Sequence, residues 1–235
     1  MVKDSTRDHL LALEEQYGIA VAIEVARKSL RVGTSDGEFK KQFNGEVCEV
    51  VLEMLLQKLI REEHPDWFYI KGLILPDADN TQSEFLTEID FVVFTPQCIY
   101  CIECKSYSGT KRISGNGTIN LESGRSYDVF KQNSMHLQVL NKMIQNFCIS
   151  KPPAYKMILF NFSYGKCYDM REVDAKRAFP VVDDKSFSKV LSKRTRVCWD
   201  MQGLRMAKDS LETFSKRTRA KHLKYVQGLH KECDK

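Results

Sequence analysis

The chain has 235 residues, of which 43% are hydrophobic, and carries 36 Lys+Arg against 31 Asp+Glu for a net charge of +5. That supply of apolar residues predicts one domain with a sizeable core and a small appendage. No apolar run reaches the length of a membrane span, and the charged start of the sequence lacks the apolar stretch of a secretory signal, so a cytoplasmic protein that does not enter membranes is expected. The eight cysteines then read as reduced thiols rather than a disulfide framework.

The charge is unevenly spread. From Lys185 to Lys235 there are 14 Lys+Arg against 5 Asp+Glu, a net +9 that leaves the remainder at −4. A basic segment of this kind can hold a polyanion, since Lys and Arg contacts to phosphate supply most non-specific nucleic-acid affinity. A solubilising helical surface accounts for the same charge equally well.

In chain order, Asp4 or Ser5 caps a helix running through Leu10, Leu11, Leu13 and Tyr17 towards Leu30, with Gly18 a point where it divides in two and Gly33 a stop. Residues 1–40 carry no catalytic constellation and read as a helical N-terminal extension, a packing appendage or partner-binding arm. Asn44 or Gly45 opens a second helix with Val47, Val50, Val51, Met54, Leu55 and Leu59 on one side, closed by His64-Pro65. Glu46 falls in its first turn, where a carboxylate complements the helix dipole; Glu49 and Glu53 follow at one-turn intervals. Trp67 to Leu75 makes a first strand, and Pro76 to Ser83 a polar loop that lacks the glycine and distal glutamate of a calcium loop.

Two runs rich in Val, Ile, Phe and Tyr then flank Thr95-Pro96-Gln97, the pattern of a β-hairpin. With Pro96-Gln97 as a two-residue loop, paired positions sum to 193, which sets Asp90 opposite Glu103 and Glu88 opposite Lys105. Alternation puts all four on one face. A solvated sheet face with cross-strand ion pairs is one reading. The other starts from the apolar character of Cys98 to Cys104: a carboxylate on a core strand needs a partner, and a divalent cation is a natural one. Asp90 and Glu103 as oxygen ligands beside Lys105 suit metal-assisted hydrolysis of a phosphodiester. Cys98, Cys101 and Cys104 have the spacing of a metal run, but on a strand they point to alternate faces and read as small apolar residues.

Gly115-Asn116-Gly117 turns a hairpin of Lys111–Ser114 and Thr118–Leu121, in which Lys111 and Arg112 are either phosphate contacts or edge-strand charges. Asp128 to Phe147 is helical with Gln132 near its start; His136 on its mixed face reads as structural. Tyr155–Phe162 and Ala178–Val182 are further strands. From Lys185 the pattern is helical and basic, densest at Lys216, Arg217, Arg219, Lys221 and Lys224, with no helix-turn-helix, zinc-finger or RNA-recognition signature.

Asp90 followed by Glu103-Cys104-Lys105 resembles the D…(D/E)xK signature of restriction-endonuclease-like nucleases. Gly45-Glu46 in a helix, Ile89-Asp90 in a strand, Ile102-Glu103-Cys104-Lys105 followed by Gly109, and Gln132 in a later helix are similar, in that order, to the nuclease-related domain, NERD, of that superfamily. The similarity spans roughly residues 43–147; where the family often has Asn-Pro before the glutamine, this chain has Asp128-Val129. The resemblance implies an α/β fold, a restriction-endonuclease-like mixed β-sheet flanked by helices. Helical additions lie on both sides, divided at 1–40, 41–182 and 183–235. It implies a deoxyribonuclease using Mg²⁺ or Mn²⁺, with Asp90 and Glu103 on the metal, Lys105 activating water or stabilising charge, and Glu46 and Gln132 in support. Lys111, Arg112, Lys216, Arg217, Arg219, Lys221 and Lys224 are the candidate nucleic-acid contacts. DNA is the expected partner, and a homodimer is an assembly open to the chain. An RNase, and a non-catalytic nucleic-acid-binding or protein-interaction module on the same fold, are the alternatives.

Overall fold

The computed structural model describes residues 2–31, 37–76, 86–107, 109–145, 154–163, 165–192 and 201–233; the side chains of 2–5, 37–41, 86 and 219–233 lie outside the description. The chain divides into two units, each built from several stretches of chain. One comprises 1–65, 103–130 and 158–194, the other 66–102, 131–157 and 195–235. The fold is mixed α/β, with mixed sheets flanked by helices, as the sequence predicts.

The first unit begins with α1 (Val2–Tyr17) and α2 (Ile19–Ser29), separated at Gly18, whose φ of 85° is left-handed and ends one helix before the next begins. Both pack on α3 (Gly37–Glu62). Leu10, Ala22, Ala26 and Leu30 are buried, and Arg7 donates from both terminal nitrogens to the two carboxylate oxygens of Glu53 at 2.9 and 3.1 Å. α3 begins at Gly37, not at Asn44 or Gly45 as the sequence suggests. Phe39 and Phe43 carry the spacing of Val47 back into these first turns, a signal that Gly45 and the capping character of Asn44 obscure. Asn44 is accordingly an interior helical residue, 6% exposed.

The second unit holds β1 (Phe68–Pro76), β2 (Leu86–Phe94) and the first residues of β3 (Ile99–Lys105), an antiparallel meander. The observed partners of β2 and β3 are Phe91 with Ile102, Val92 with Cys101, Val93 with Tyr100 and Phe94 with Ile99, the register predicted from the two-residue loop. Thr95 fixes that loop. Its hydroxyl donates to the Cys98 carbonyl at 2.8 Å and accepts from the Cys98 amide at 3.1 Å. α4 (Val129–Gln145) and α7 (Met201–Cys233) supply the rest of this unit's core. Val139, Leu140, Ile144, Leu204 and Leu211 pack with Leu73, Leu75, Ile89, Val92 and Phe94. Ser215 of α7 accepts a hydrogen bond from the Ile74 amide of β1 at 2.9 Å.

β3 is followed in sheet order by β7 (Tyr155–Asn161), and β7 pairs in parallel with β9 (Val181–Val182) in the first unit. The expected strand Ala178–Val182 is thus reduced to two residues, because α5 (Val173–Ala178) occupies the preceding segment. α6 (Phe187–Leu191) follows, burying Phe187 against Phe160. A second sheet of the first unit has the order β6-β5-β4-β8, from β4 (Lys111–Ile113), β5 (Ile119–Leu121), β6 (Ser126–Tyr127) and β8 (Cys167–Asp169). The Asn116-Gly117 turn joins β4 to β5 as predicted, with Gly117 at φ 91° and its amide bonded to the Ser114 carbonyl at 2.9 Å.

Candidate active site

Glu103 sits within the apolar run of β3, where Ile99 to Cys104 are all buried, and is itself only 2% exposed. A carboxylate so placed must be compensated, because desolvation without a partner costs several kcal/mol. Lys105, two residues on and therefore on the same face, donates from Nζ to Glu103 Oε1 at 2.5 Å. The Lys105 side chain is partly exposed, at 24%, so the pair spans the step from the sheet interior to its open end.

The segment leaving β3 is held tightly. Tyr107 stacks on Tyr127 with centroids 4.7 Å apart and planes 19° from parallel. Burial pushes the Tyr107 hydroxyl up to about 12, with Lys105 acting to lower it and Glu103 to raise it. Lys111 then reaches across from β4, donating to the Tyr107 carbonyl at 2.7 Å, the Gly109 carbonyl at 3.3 Å and Ser163 Oγ at 2.5 Å. Gly109 and Gly165 approach so closely that a Cβ at Gly165, whose φ is +98°, would run into the Gly109 carbonyl oxygen. The loop after β3 and the loop after β7 are thereby fastened together beside Glu103 and Lys105.

This arrangement corrects the expectation for Lys111. It is 2% exposed, on a strand flanked on both sides by β5 and β8, and is neither a surface phosphate contact nor an edge charge. Burial lowers its pKa, with the nearby Cys167 opposing that shift. Arg112, its neighbour, points outward and is exposed.

Asp90 is half-buried on β2, one residue from Phe91, which pairs with Ile102; Glu88 is exposed. Glu46 is half-buried in the third turn of α3, too far from the helix start to serve its dipole. Glu53 is engaged by Arg7 and acts as a structural partner for α1. Gln132 is exposed on α4, whereas Asn133 beside it is fully buried and accepts from the Cys101 thiol at 3.0 Å. Sequence reasoning missed Asn133. The signal was its place on the buried stripe Val129, Asn133, His136 and Leu140, where an amide needs a partner.

Cys98, Cys101 and Cys104 are buried and form no disulfide, and among the described residues no three His, Cys, Asp or Glu side chains gather as a metal cage. Burial pushes the Cys98 thiol up to about 12, with Lys156 acting to lower it. Lys216 and Arg217 are exposed on α7, Arg217 lining an open groove of about 390 Å³ with Met143, Asp209, Ser210, Thr213 and Phe214. The side chains of Arg219, Lys221 and Lys224 lie outside the described residues. No described helix is long and apolar enough to cross a membrane.

A family model described as the nuclease-related domain matches residues 41–161, just over half of the chain. The protein belongs to the NERD family. Glu46, Asp90, Glu103, Lys105 and Gln132 all lie within the matched span, as does Lys111, while α1, α2 and α7 lie outside it. Comparison with curated proteins and with solved structures gives no match.

Proposed function

We propose that this NERD protein is a metal-dependent nuclease that hydrolyses phosphodiester bonds, with DNA as its substrate and Mg²⁺ or Mn²⁺ as its ion. The observation that carries this reading is the buried Glu103 carboxylate with the Lys105 ammonium 2.5 Å away, at a strand end within the matched nuclease-related span. Such a pair supplies both an anionic oxygen donor and a cation for developing phosphoryl charge.

The donor set suits a hard divalent ion. Mg²⁺ is commonly bound through one or two carboxylates, keeping several waters and substrate oxygens, so Asp90 and Glu103 provide the chemistry it needs without a protein cage. When bound, the ion supplies charge neutralisation at the phosphoryl oxygens and lowers the pKa of an attacking water. Lys105 orients that water or stabilises the charge that develops on the phosphoryl group. Glu46 supports the carboxylates, and Gln132, exposed on α4, is available to a phosphate. Arg112, Lys216 and Arg217 present exposed cations to the polyanion, and Arg219, Lys221 and Lys224 continue the basic run.

The test is cleavage of supercoiled plasmid, linear duplex, single-stranded DNA and RNA with Mg²⁺, Mn²⁺ or EDTA, comparing the unaltered protein with Asp90→Ala and Lys105→Ala. Metal-dependent cutting of DNA, lost in both variants, is expected. Cutting of RNA alone would change the substrate. No cutting, with salt-sensitive binding that survives both substitutions, would sink the catalytic reading in favour of a binding module.

A further inference from the structure

We propose that Tyr107 contacts the substrate, donating its phenolic O–H to a non-bridging oxygen of the phosphodiester on which Glu103 and Lys105 act. This rests on the nuclease reading above and adds to it a residue that the D…ExK pattern does not include.

Four observations converge on that hydroxyl. It belongs to the second residue after Lys105, on the segment that leaves β3 directly from the Glu103–Lys105 pair. The ring is fixed from one side by its stack on Tyr127. The backbone is fixed by the buried Lys111 ammonium, which holds the Tyr107 carbonyl at 2.7 Å and is itself anchored to Gly109 and Ser163. Yet among the described residues the hydroxyl makes no hydrogen bond, although the side chain is half-buried. A phenol placed rigidly beside an ion pair, and not spent within the protein, is a preorganised donor.

Its protonation fits that role. A phenol is protonated at neutral pH, so it donates to an anionic oxygen without giving up the proton. A bond to a charged acceptor strengthens as phosphoryl charge builds.

The simplest competing account is that Tyr107 only packs against Tyr127. Tyr107→Phe separates the two, because it keeps the ring and its stack while deleting the donor. The full-length protein, Tyr107→Phe, and Tyr168→Phe on the exposed surface of β8 as a control, are compared on a fluorescent DNA oligonucleotide. The readouts are kcat and KM with Mg²⁺, Kd in EDTA by anisotropy, and thermal midpoint. Expected are a loss of about tenfold or more in kcat/KM for Tyr107→Phe, an unchanged midpoint, and no effect of Tyr168→Phe. Equal kcat/KM in Tyr107→Phe and the unaltered protein would overturn the assignment while leaving the nuclease reading intact. If the unaltered protein cuts nothing, the nuclease reading fails on its own and Kd decides: weaker binding by Tyr107→Phe alone supports the phosphate contact, and equal or absent binding overturns it.

Discussion

Lys105 turns back along its own strand to place its ammonium 2.5 Å from Glu103 Oε1, so the most buried acid at the end of β3 already carries a cation. Removing either member has different consequences. Glu103→Gln keeps volume but deletes the anionic donor, and Lys105→Ala deletes a cationic partner of a buried carboxylate. Both are expected to lower kcat for Mg²⁺-dependent cleavage by about 10²–10³-fold. Lys105→Ala alone is also expected to lower the thermal midpoint, measured by circular dichroism without metal. Retained cleavage in Glu103→Gln would contradict its role.

Lys111 is expected to act on stability. Lys111→Met deprives the Tyr107 and Gly109 carbonyls and the Ser163 hydroxyl of their donor, at a cost of about 2 kcal/mol in urea unfolding. Its pH signature follows from the lowered pKa. The unfolded chain binds this proton more tightly than the folded one, so folding gains stability as pH rises from the folded pKa towards 10.5. The unaltered protein is therefore expected to gain on Lys111→Met across that alkaline window. A constant difference would mean the ammonium is not desolvated.

Asp169 behaves in the opposite sense. Burial raises its pKa, but the hydrogen bonds and charge of Arg171 outweigh that and leave it below the ordinary value of 3.8. Arg171 is 5% exposed, donates to both carboxylate oxygens of Asp169 at 2.9 and 2.7 Å, and lies over the Phe130 ring at 4.3 Å. Asp169→Asn is expected to cost about 3 kcal/mol at pH 7. That stability is present above pH 3.8 and is lost as pH falls through the depressed folded value, so melts of the two proteins should draw together in strong acid.

Neighbouring amides on α4 should separate cleanly. Asn133→Ala strands a fully buried thiol pairing and is expected to destabilise by about 1–3 kcal/mol without altering kcat. Gln132→Ala, on the exposed face, should leave the midpoint unchanged and lower cleavage. The reverse pattern in paired melting and cleavage assays would exchange their roles.

The hairpin around Pro96 was legible down to its register because a two-residue loop and the Thr95 hydroxyl both favour one pairing. The start of α3 was not, since Asn44-Gly45 carries the character of a helix start and outweighs the short repeat of Phe39 and Phe43 before it. β6 and β8 were missed for a different reason: two or three residues are too few for a period, and β8 pairs in parallel with a strand more than fifty residues away in sequence. At the site, Glu103 and Lys105 could be read because their chemistry is written in a short motif. The reversal of Lys111 could not, because its three acceptors come from two loops that only the fold brings together.

The Ser215 contact makes α7 more than a carrier of positive charge. β1 is the outermost strand of its sheet, and α7 lies along it with the Ile74 amide already satisfied. A chain ending before Met201 would bare the Ile74 amide of that edge and the apolar side chains on which Leu204 and Leu211 pack, an invitation to assembly into insoluble material. Loss of DNA binding on deleting the helix would therefore measure precipitation as readily as charge. Replacing Lys216 and Arg217 with glutamate while leaving Ser215 in place removes the cations and keeps the edge sheathed.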